Sequence, residues 1–323
     1  MPCQYGNPYC RLKSGYVQTL ENRIVRYLGL MLRILGADHP DTRLGRAPLI
    51  ALIDATGAMD LLRKLVFLAA LAGLMHTPAA RAQAQTKADA PALAAASDLK
   101  FAVEDIAAKF RADTGQNMRL TFGSSGNFLR QIEQGAPFQI FMSADEGFVF
   151  KLADAGRTED RGVLYATGRI VLFAPHGSSL KVDAQMAGLR AALADGRIRR
   201  FAIPNPEHAP YGRAAEQALR KLGLWAPLQQ KLVFGENVSQ AAQFAAGGSA
   251  EGGIFAYSLA LSSSVSRLGN YVLLPEEWHQ PLRQRMVLIK GAGATARAFY
   301  RYVQQPPARE IFRRYGFVLP GEQ

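Results

Sequence analysis

Cysteine is almost missing from this chain: its 323 residues hold two, Cys3 and Cys10. The body, residues 83–323, has none. That excludes a disulfide, a thiolate nucleophile and a cysteine-based zinc site there. Metal-ligand spacing is missing as well, since His176, His208 and His279 show none to one another or to a carboxylate. There is no nucleophile-elbow motif, no P-loop and no dinucleotide-binding fingerprint. Glu207 and His208 are neighbours in sequence, and adjacent side chains rarely point at one substrate. Tyr300, Tyr302, Phe312 and Tyr315 fit an amphipathic C-terminal helix better than an aromatic cage. Neither a catalytic group nor a cofactor is expected.

A long basic stripe is also lacking. The formal net charge is +12. Residues 1–82 carry ten Lys/Arg and five Asp/Glu, which leaves 28 against 21, scattered, in the body. The strongest cluster, Arg197-Ile198-Arg199-Arg200, is short and has no interleaved aromatics. A nucleic-acid groove needs more than this, so no nucleic-acid partner is expected and a solvated basic face is the simpler reading. Hydrophobic content of 49% and charge of 20% are ordinary for a globular protein. The length suits one large or two medium domains.

The chain does contain a three-part secretory signal. Met59 is followed by Asp60-Leu61-Leu62-Arg63-Lys64, then by the apolar run Leu65 to Met75, then by Ala80-Arg81-Ala82. The last supplies small residues where a signal peptidase reads them, with Ala82-Gln83-Ala84 as a second option. The apolar run is eleven residues. Spanning about 30 Å of hydrocarbon takes roughly 20. The other reading of the run is a buried core helix. The expectation is a signal peptide at 59–82 and a flexible tail at 83–91. Residues 1–58 are then a non-native upstream extension, with Met59 as the true start. No lipid-anchor cysteine follows the apolar run, so a free periplasmic protein is expected, and a monomer.

From Leu93 onward, short apolar runs alternate with amphipathic stretches. Residues 99, 102, 103, 106, 107 and 110 recur at helical spacing, and Thr114-Gly115 ends that helix. Strands are expected at 118–122 and 139–143, with a helix at 128–134 between them. This β-α-β-α order implies a parallel sheet covered by helices. Two further strand-like runs, Arg169 to Pro175 and Gln284 to Lys290, bracket a middle block with its own alternation. There, strands are expected at 201–203, 232–234 and 253–256, and helices at 211–222 and 238–246. If the two bracketing runs are hinge strands, residues 168–282 form one lobe and 92–167 plus 283–323 the other. No internal repeat is visible.

Four Ser/Gly/Asn-rich loops each open a helix in this reading: Ala94-Ala95-Ala96-Ser97-Asp98, Phe122-Gly123-Ser124-Ser125-Gly126-Asn127, Ala209-Pro210-Tyr211-Gly212 and Gly235-Glu236-Asn237-Val238. A helix N-terminus carries unsatisfied N–H groups and about half a positive charge. Several converging on one point would bind an anion without Lys or Arg. Taken singly, each has a plainer reading. Ser97 and Ser125 suit N-capping, the Gly123–Gly126 loop suits an ordinary turn, and Pro210 starts a helix whatever Tyr211 does.

These loops carry a resemblance. Together with Gln131-Ile132-Glu133-Gln134-Gly135-Ala136-Pro137, Phe141-Met142-Ser143-Ala144-Asp145, Asn205-Pro206-Glu207-His208 and Ile311-Phe312-Arg313-Arg314-Tyr315-Gly316-Phe317, they resemble the periplasmic molybdate-binding proteins, receptors of molybdate ABC importers. The resemblance covers about residues 93–319. It implies an α/β, class II periplasmic binding protein fold, two β/α lobes joined by two hinge strands with a ligand cleft between them. It implies that Ser97 and Ser125 donate from side chain and backbone, and Tyr211 and Val238 from backbone N–H groups. Asp98 and Ser124 are further candidates; the N–H of Asp98 is free to bind only if its carboxylate points away. One branch of the family uses a tyrosine hydroxyl in a Gly-Ile-Val-Tyr segment. Here Gly253-Ile254-Phe255-Ala256-Tyr257 places Tyr257 one residue later, where packing is the alternative. Molybdenum would be held only as its oxyanion, through these same residues, and the implied partner is the importer's membrane permease.

Molybdate and tungstate are tetrahedral dianions that only accept hydrogen bonds. A site of N–H groups and rotatable hydroxyls offers only donors, and charge-assisted bonds are roughly twice as strong as neutral ones. Phosphate, partly protonated near pH 7, would bring a donor with no acceptor to meet it. Sulfate is a bare dianion that only cavity size can reject. The alternatives are a receptor for sulfate or another oxyanion, and a secreted two-lobed enzyme, which would need a general acid or base in its cleft.

Overall fold

The computed structural model describes residues 90–322, so the upstream extension, the signal peptide and nearly all of the tail lie outside the described residues. The chain enters on β1 (Ala92–Ala96), makes one 3-10 turn over Ser97–Leu99 and continues as α1 (Lys100–Thr114). Buried positions 102, 103, 106 and 110 give α1 its apolar face, and Gly115 ends it at φ +72°, a left-handed cap suited to glycine. Then come β2 (Arg119–Gly123), α2 (Ser125–Glu133), β3 (Phe138–Ser143), α3 (Glu146–Asp154) and β4 (Val163–Gly168).

One residue, Arg169, separates β4 from β5 (Ile170–Pro175), and there the chain passes to a second sheet. That sheet collects α4 (Ala187–Ala194), β6 (Phe201–Pro204), α5 (Pro210–Lys221), β7 (Leu232–Gly235), α6 (Val238–Ala246), β8 (Gly252–Ala256) and β9 (Gly269–Leu273). Residues 274–281 lead back to β10 (Leu282–Leu288) in the first sheet, followed by α7 (Ala294–Val303) and α8 (Pro306–Arg314). Pro275 and Pro281 lie in this return segment. Proline has no N–H to give a ladder, which keeps the segment irregular.

The sheet orders are β2-β1-β3-β10-β4 and β7-β6-β8-β5-β9. In each, one strand lies between two parallel neighbours, and a crossing strand pairs antiparallel beyond them. The two lobes thus share one layout although the sequence shows no repeat. Layout depends on the order of apolar runs and turns, which unrelated side chains can supply. Alternation along β1 sets the layers of the first lobe. Leu93 and Ala95 face the core shared with α1, α7 and α8, while Ala94 faces a second cluster with Phe128, Phe141, Val149 and Val287 under α2 and α3. Phe110 of α1 meets Phe299 and Tyr302 of α7 edge-on, at 5.2 and 5.3 Å between ring centres.

The parallel strands of both sheets end at the same cleft. Ligands of open α/β sheets sit outside such carboxyl ends.

Candidate functional site

Each of the four loops leaves the carboxyl end of a parallel strand. After β1, Ser97 enters the 3-10 turn. After β2, Ser124 takes the N-cap of α2 at φ −82°, ψ 144°, and its hydroxyl accepts from the N–H of Asn127 at 3.4 Å. After β6, extended Ala209 precedes Pro210, the first residue of α5. After β7, Asn237 caps α6, its Oδ1 accepting from the N–H of Gln240 at 3.1 Å.

These starts converge. Ser97, Asp98, Ser124, Ser125, Tyr211 and Val238 line one cavity of about 10 Å³, with Ala96, Gly123, Ala144, Ala209 and Pro210. That is room for about one water molecule. A tetrahedral dianion enters only as the facing loops part. No Lys or Arg belongs to the lining. A wider cleft of about 280 Å³ lies beside it, but there Arg213 pairs with Asp145 and Arg283 with Glu146. Its cations are already engaged, so the small donor-lined cavity is the candidate.

The capping expected of Ser97 and Ser125 is corrected here. Ser125 is the first residue inside α2, one position past the cap. Its Oγ accepts from the N–H of Ala144 at 3.0 Å, which leaves the hydroxyl proton free to turn into the cavity. Ser97 makes no cap bond either. Its Oγ donates to Asn237 Oδ1 at 3.1 Å and accepts from the N–H of Ser239 at 3.3 Å. To serve a ligand, its proton must leave Asn237.

Further bonds join the lobes around the cavity. Ser239 Oγ donates to the carbonyl of Ser97 at 2.9 Å, and the N–H of Gly126 donates to the carbonyl of His208 at 3.0 Å. A Cβ on Gly126 would come within 2.7 Å of that carbonyl, so the position requires glycine. His208 is buried and sets Nδ1 3.0 Å from Ser124 Oγ. Glu236 approaches its other ring nitrogen and also takes the amide of Asn127.

Asp98 is fully buried. Its Oδ2 accepts from Tyr211 Oη at 3.0 Å and from Gln284 Nε2 at 2.6 Å. Gln284 Oε1 in turn accepts from Tyr165 Oη at 2.8 Å. Burial pushes the Asp98 carboxyl up to about 6, against the pull of its hydrogen bonds from Gln284 and Tyr211. Burial, then the Asp98 charge, hold the Tyr211 hydroxyl well above the ordinary tyrosine range. Oδ1 of Asp98 has no partner.

Tyr257 is not brought to the cavity. Its ring lies 5.9 Å from that of Tyr271, beside Gly316, and its N–H donates to the carbonyl of Arg169. Gln284 was missed in sequence. Its signal was phase: β10 buries Leu282, Gln284 and Met286 in alternation, so a polar side chain stands at an inward position and needs a buried partner.

The profile of bacterial extracellular solute-binding proteins matches residues 92–318. The molybdate-binding protein of Rhodobacter capsulatus is 36% identical over 228 residues, 70% of this chain and 86% of that protein. The molybdate-binding protein of Escherichia coli K12 is 35% identical over 70% of this chain and 87% of its own length. Among solved structures, the periplasmic molybdate-binding protein of Azotobacter vinelandii superposes with a TM-score of 0.65 at 32% identity, covering 71% of this chain and 99% of that one.

Proposed function

The chain belongs to the bacterial extracellular solute-binding proteins and, among them, to the molybdate-binding proteins; from that premise we infer that it is the periplasmic receptor that binds molybdate or tungstate and hands it to the membrane permease of an ABC importer. It is a binding protein and not an enzyme. The observation that carries the reading of the site is the convergence of Ser97, Ser125, Tyr211 and Val238 on one cavity whose lining has no cation. Ser125 offers a free hydroxyl proton. Tyr211 and Val238 lie in the first turns of α5 and α6, whose N–H groups have no partner within the helix. Asp98 contributes its N–H and Ser124 its hydroxyl, while Tyr257 is left to packing. Molybdenum is cargo here, held through its oxygens.

Among the described residues no helix is long and apolar enough to cross a membrane. Export through the signal at 59–82 places the mature protein, a monomer, in the periplasm. Its lobes are 92–167 with 283–323, and 168–282. Sulfate remains the nearest alternative ligand, being a bare dianion too.

Thermal unfolding tests the reading. Ligand at 100 times its dissociation constant stabilises by about 2.7 kcal/mol. Molybdate and tungstate are expected to raise Tm, with sulfate and phosphate at equal concentration doing far less. Equal shifts with all four anions would remove the selectivity, and no shift with any would remove the receptor. The mass of the protein exported by its native host, expected to begin at Gln83 or Gln85, tests the signal.

A further inference from the structure

Molybdate and sulfate carry the same charge, the same tetrahedral shape and only acceptors. A donor-lined cavity separates them by size alone, so something must fix the distance between its walls. One wall follows β1 in the first lobe and includes Ser97 and Asp98; the facing wall is the start of α5 in the second lobe, with Tyr211.

Those two walls are joined directly. Tyr211 is 1% exposed, and its hydroxyl leaves its own lobe to reach Asp98 Oδ2 at 3.0 Å and Gln284 Nε2 at 3.0 Å. Asp98 is 1% and Gln284 0% exposed. Gln284 is itself held by Tyr165 from β4. On the way, the Tyr211 ring passes the chain crossing so closely that a Cβ on Gly168 would lie 2.1 Å from its hydroxyl oxygen. Tyr211, which lines the cavity and whose N–H is the proposed donor, is therefore anchored, by its other end, to the residue next to Ser97. Parting the walls beyond the reach of this tie breaks hydrogen bonds to a buried carboxylate, which are among the stronger kind.

We propose that the Tyr211 hydroxyl, tied to Asp98 and Gln284, sets the opening of the cavity and so determines which size of tetrahedral dianion the receptor accepts. Tyr211 acts here as a positioning residue through its side chain, separately from its N–H. The proposal rests on the oxyanion-receptor reading given above.

The test measures dissociation constants for molybdate and sulfate by calorimetry, with unfolding of the unliganded proteins alongside. Tyr211→Phe keeps the N–H and the ring and removes only the tie. It is expected to lower the ratio of the sulfate to the molybdate constant at least tenfold. Gly168→Ala, which displaces the hydroxyl without altering it, is expected to lower the ratio in the same direction. Asp98→Asn keeps an oxygen that accepts both hydrogen bonds, so it is expected to move the two affinities together and hold the ratio within threefold. If Tyr211→Phe weakened both anions by one factor, the residue would be merely structural and the proposal overturned. Should Tyr211→Phe fail to fold, Gln284→Leu gives the same readout from the other end of the tie, and an unchanged ratio there overturns the proposal too. A parent protein that bound neither anion would fell the receptor reading first, and that result is seen without any variant.

Discussion

The first lobe brings hydroxyl groups to the cavity, from Ser97, Ser124 and Ser125, whereas the second brings Tyr211 and Val238, which have only backbone to offer it. Valine has no polar atom, and the Tyr211 hydroxyl is engaged with Asp98. Two sheets of one layout thus line the proposed anion site with different chemistry. The difference predicts how each lobe responds to mutation. Donors that are side chains can be removed by ordinary substitution. Donors that are backbone survive every substitution except the one residue that lacks an N–H.

The largest effect is expected where the first lobe is made to repel. Ser97→Asp sets a carboxylate beside a dianion, and like unit charges about 4 Å apart cost about 4 kcal/mol at an effective dielectric of 20. The affinity for molybdate is expected to fall roughly a thousandfold or more. Calorimetry that found Ser97→Asp binding like the parent would remove Ser97 from the site.

Next comes a pH effect at Asp98, where a first-lobe carboxyl meets the Tyr211 hydroxyl of the second lobe. The folded protein holds the Asp98 proton to about pH 6, while the unfolded chain releases it near the ordinary value of 3.8. Between these values the folded state binds more protons. Its stability therefore falls as pH rises from about 4 to about 6, and levels above that. The shift corresponds to a change on the order of 3 kcal/mol. Urea unfolding of parent and Asp98→Asn at pH 4, 5, 6 and 7 isolates it, because the other carboxylates are common to both. A difference between the two that stayed constant across this range would show Asp98 titrating normally.

The comparison of lobes is itself tested by a pair of substitutions. Val238 is the first residue of α6 and follows extended Asn237, at φ −148° and ψ 175°. Proline is favoured at that helix position and tolerates that predecessor, as Pro210 does at the start of α5. Val238→Pro is expected to keep the fold and lose one charge-assisted bond. That is worth about 1.5–3 kcal/mol, or roughly 10- to 150-fold in affinity, while Val238→Ala costs little. Ser125→Ala falls at the lower end, about tenfold, because water can replace a lost hydroxyl. Ser125→Ala also leaves the buried N–H of Ala144 without its acceptor, which lowers stability by about 1–3 kcal/mol. Equal loss of binding in Val238→Ala and Val238→Pro would mean that the second lobe acts through its side chain after all.

The helix-opening loops were legible in sequence because Pro, Asn, Ser and Gly at a strand's end have few other uses. Which serine capped α2 was not, since Ser124 and Ser125 are adjacent and differ only in the backbone angles the fold assigns them. The tie through Asp98 was out of reach for a different reason. Its partners, Tyr211 and Gln284, stand 113 and 186 residues away. Only the closing of two sheets on one cleft makes them neighbours. Asp98 could be required to turn its carboxylate away from an anion, but what receives it was a tertiary fact.

The smallest effect is expected at Tyr257, which separates resemblance from geometry. A relative's branch that uses a tyrosine hydroxyl would give the second lobe a side-chain donor and erase the difference between the lobes. In this chain β8 ends at Ala256, and Tyr257 begins the short helical turn Tyr257–Ala260. A tyrosine one residue earlier would stand at the strand's last position. One residue later, Tyr257 has left the strand for the helical turn. There it packs on Tyr271 and against Gly316, whose φ of +72° suits glycine. Tyr257→Phe keeps that packing and removes a hydroxyl that does not line the cavity. Molybdate affinity is expected to change less than about twofold, within the scatter of a surface substitution of ±0.5 kcal/mol. A tenfold loss would place the hydroxyl on the ligand and give the second lobe the side-chain donor it otherwise lacks.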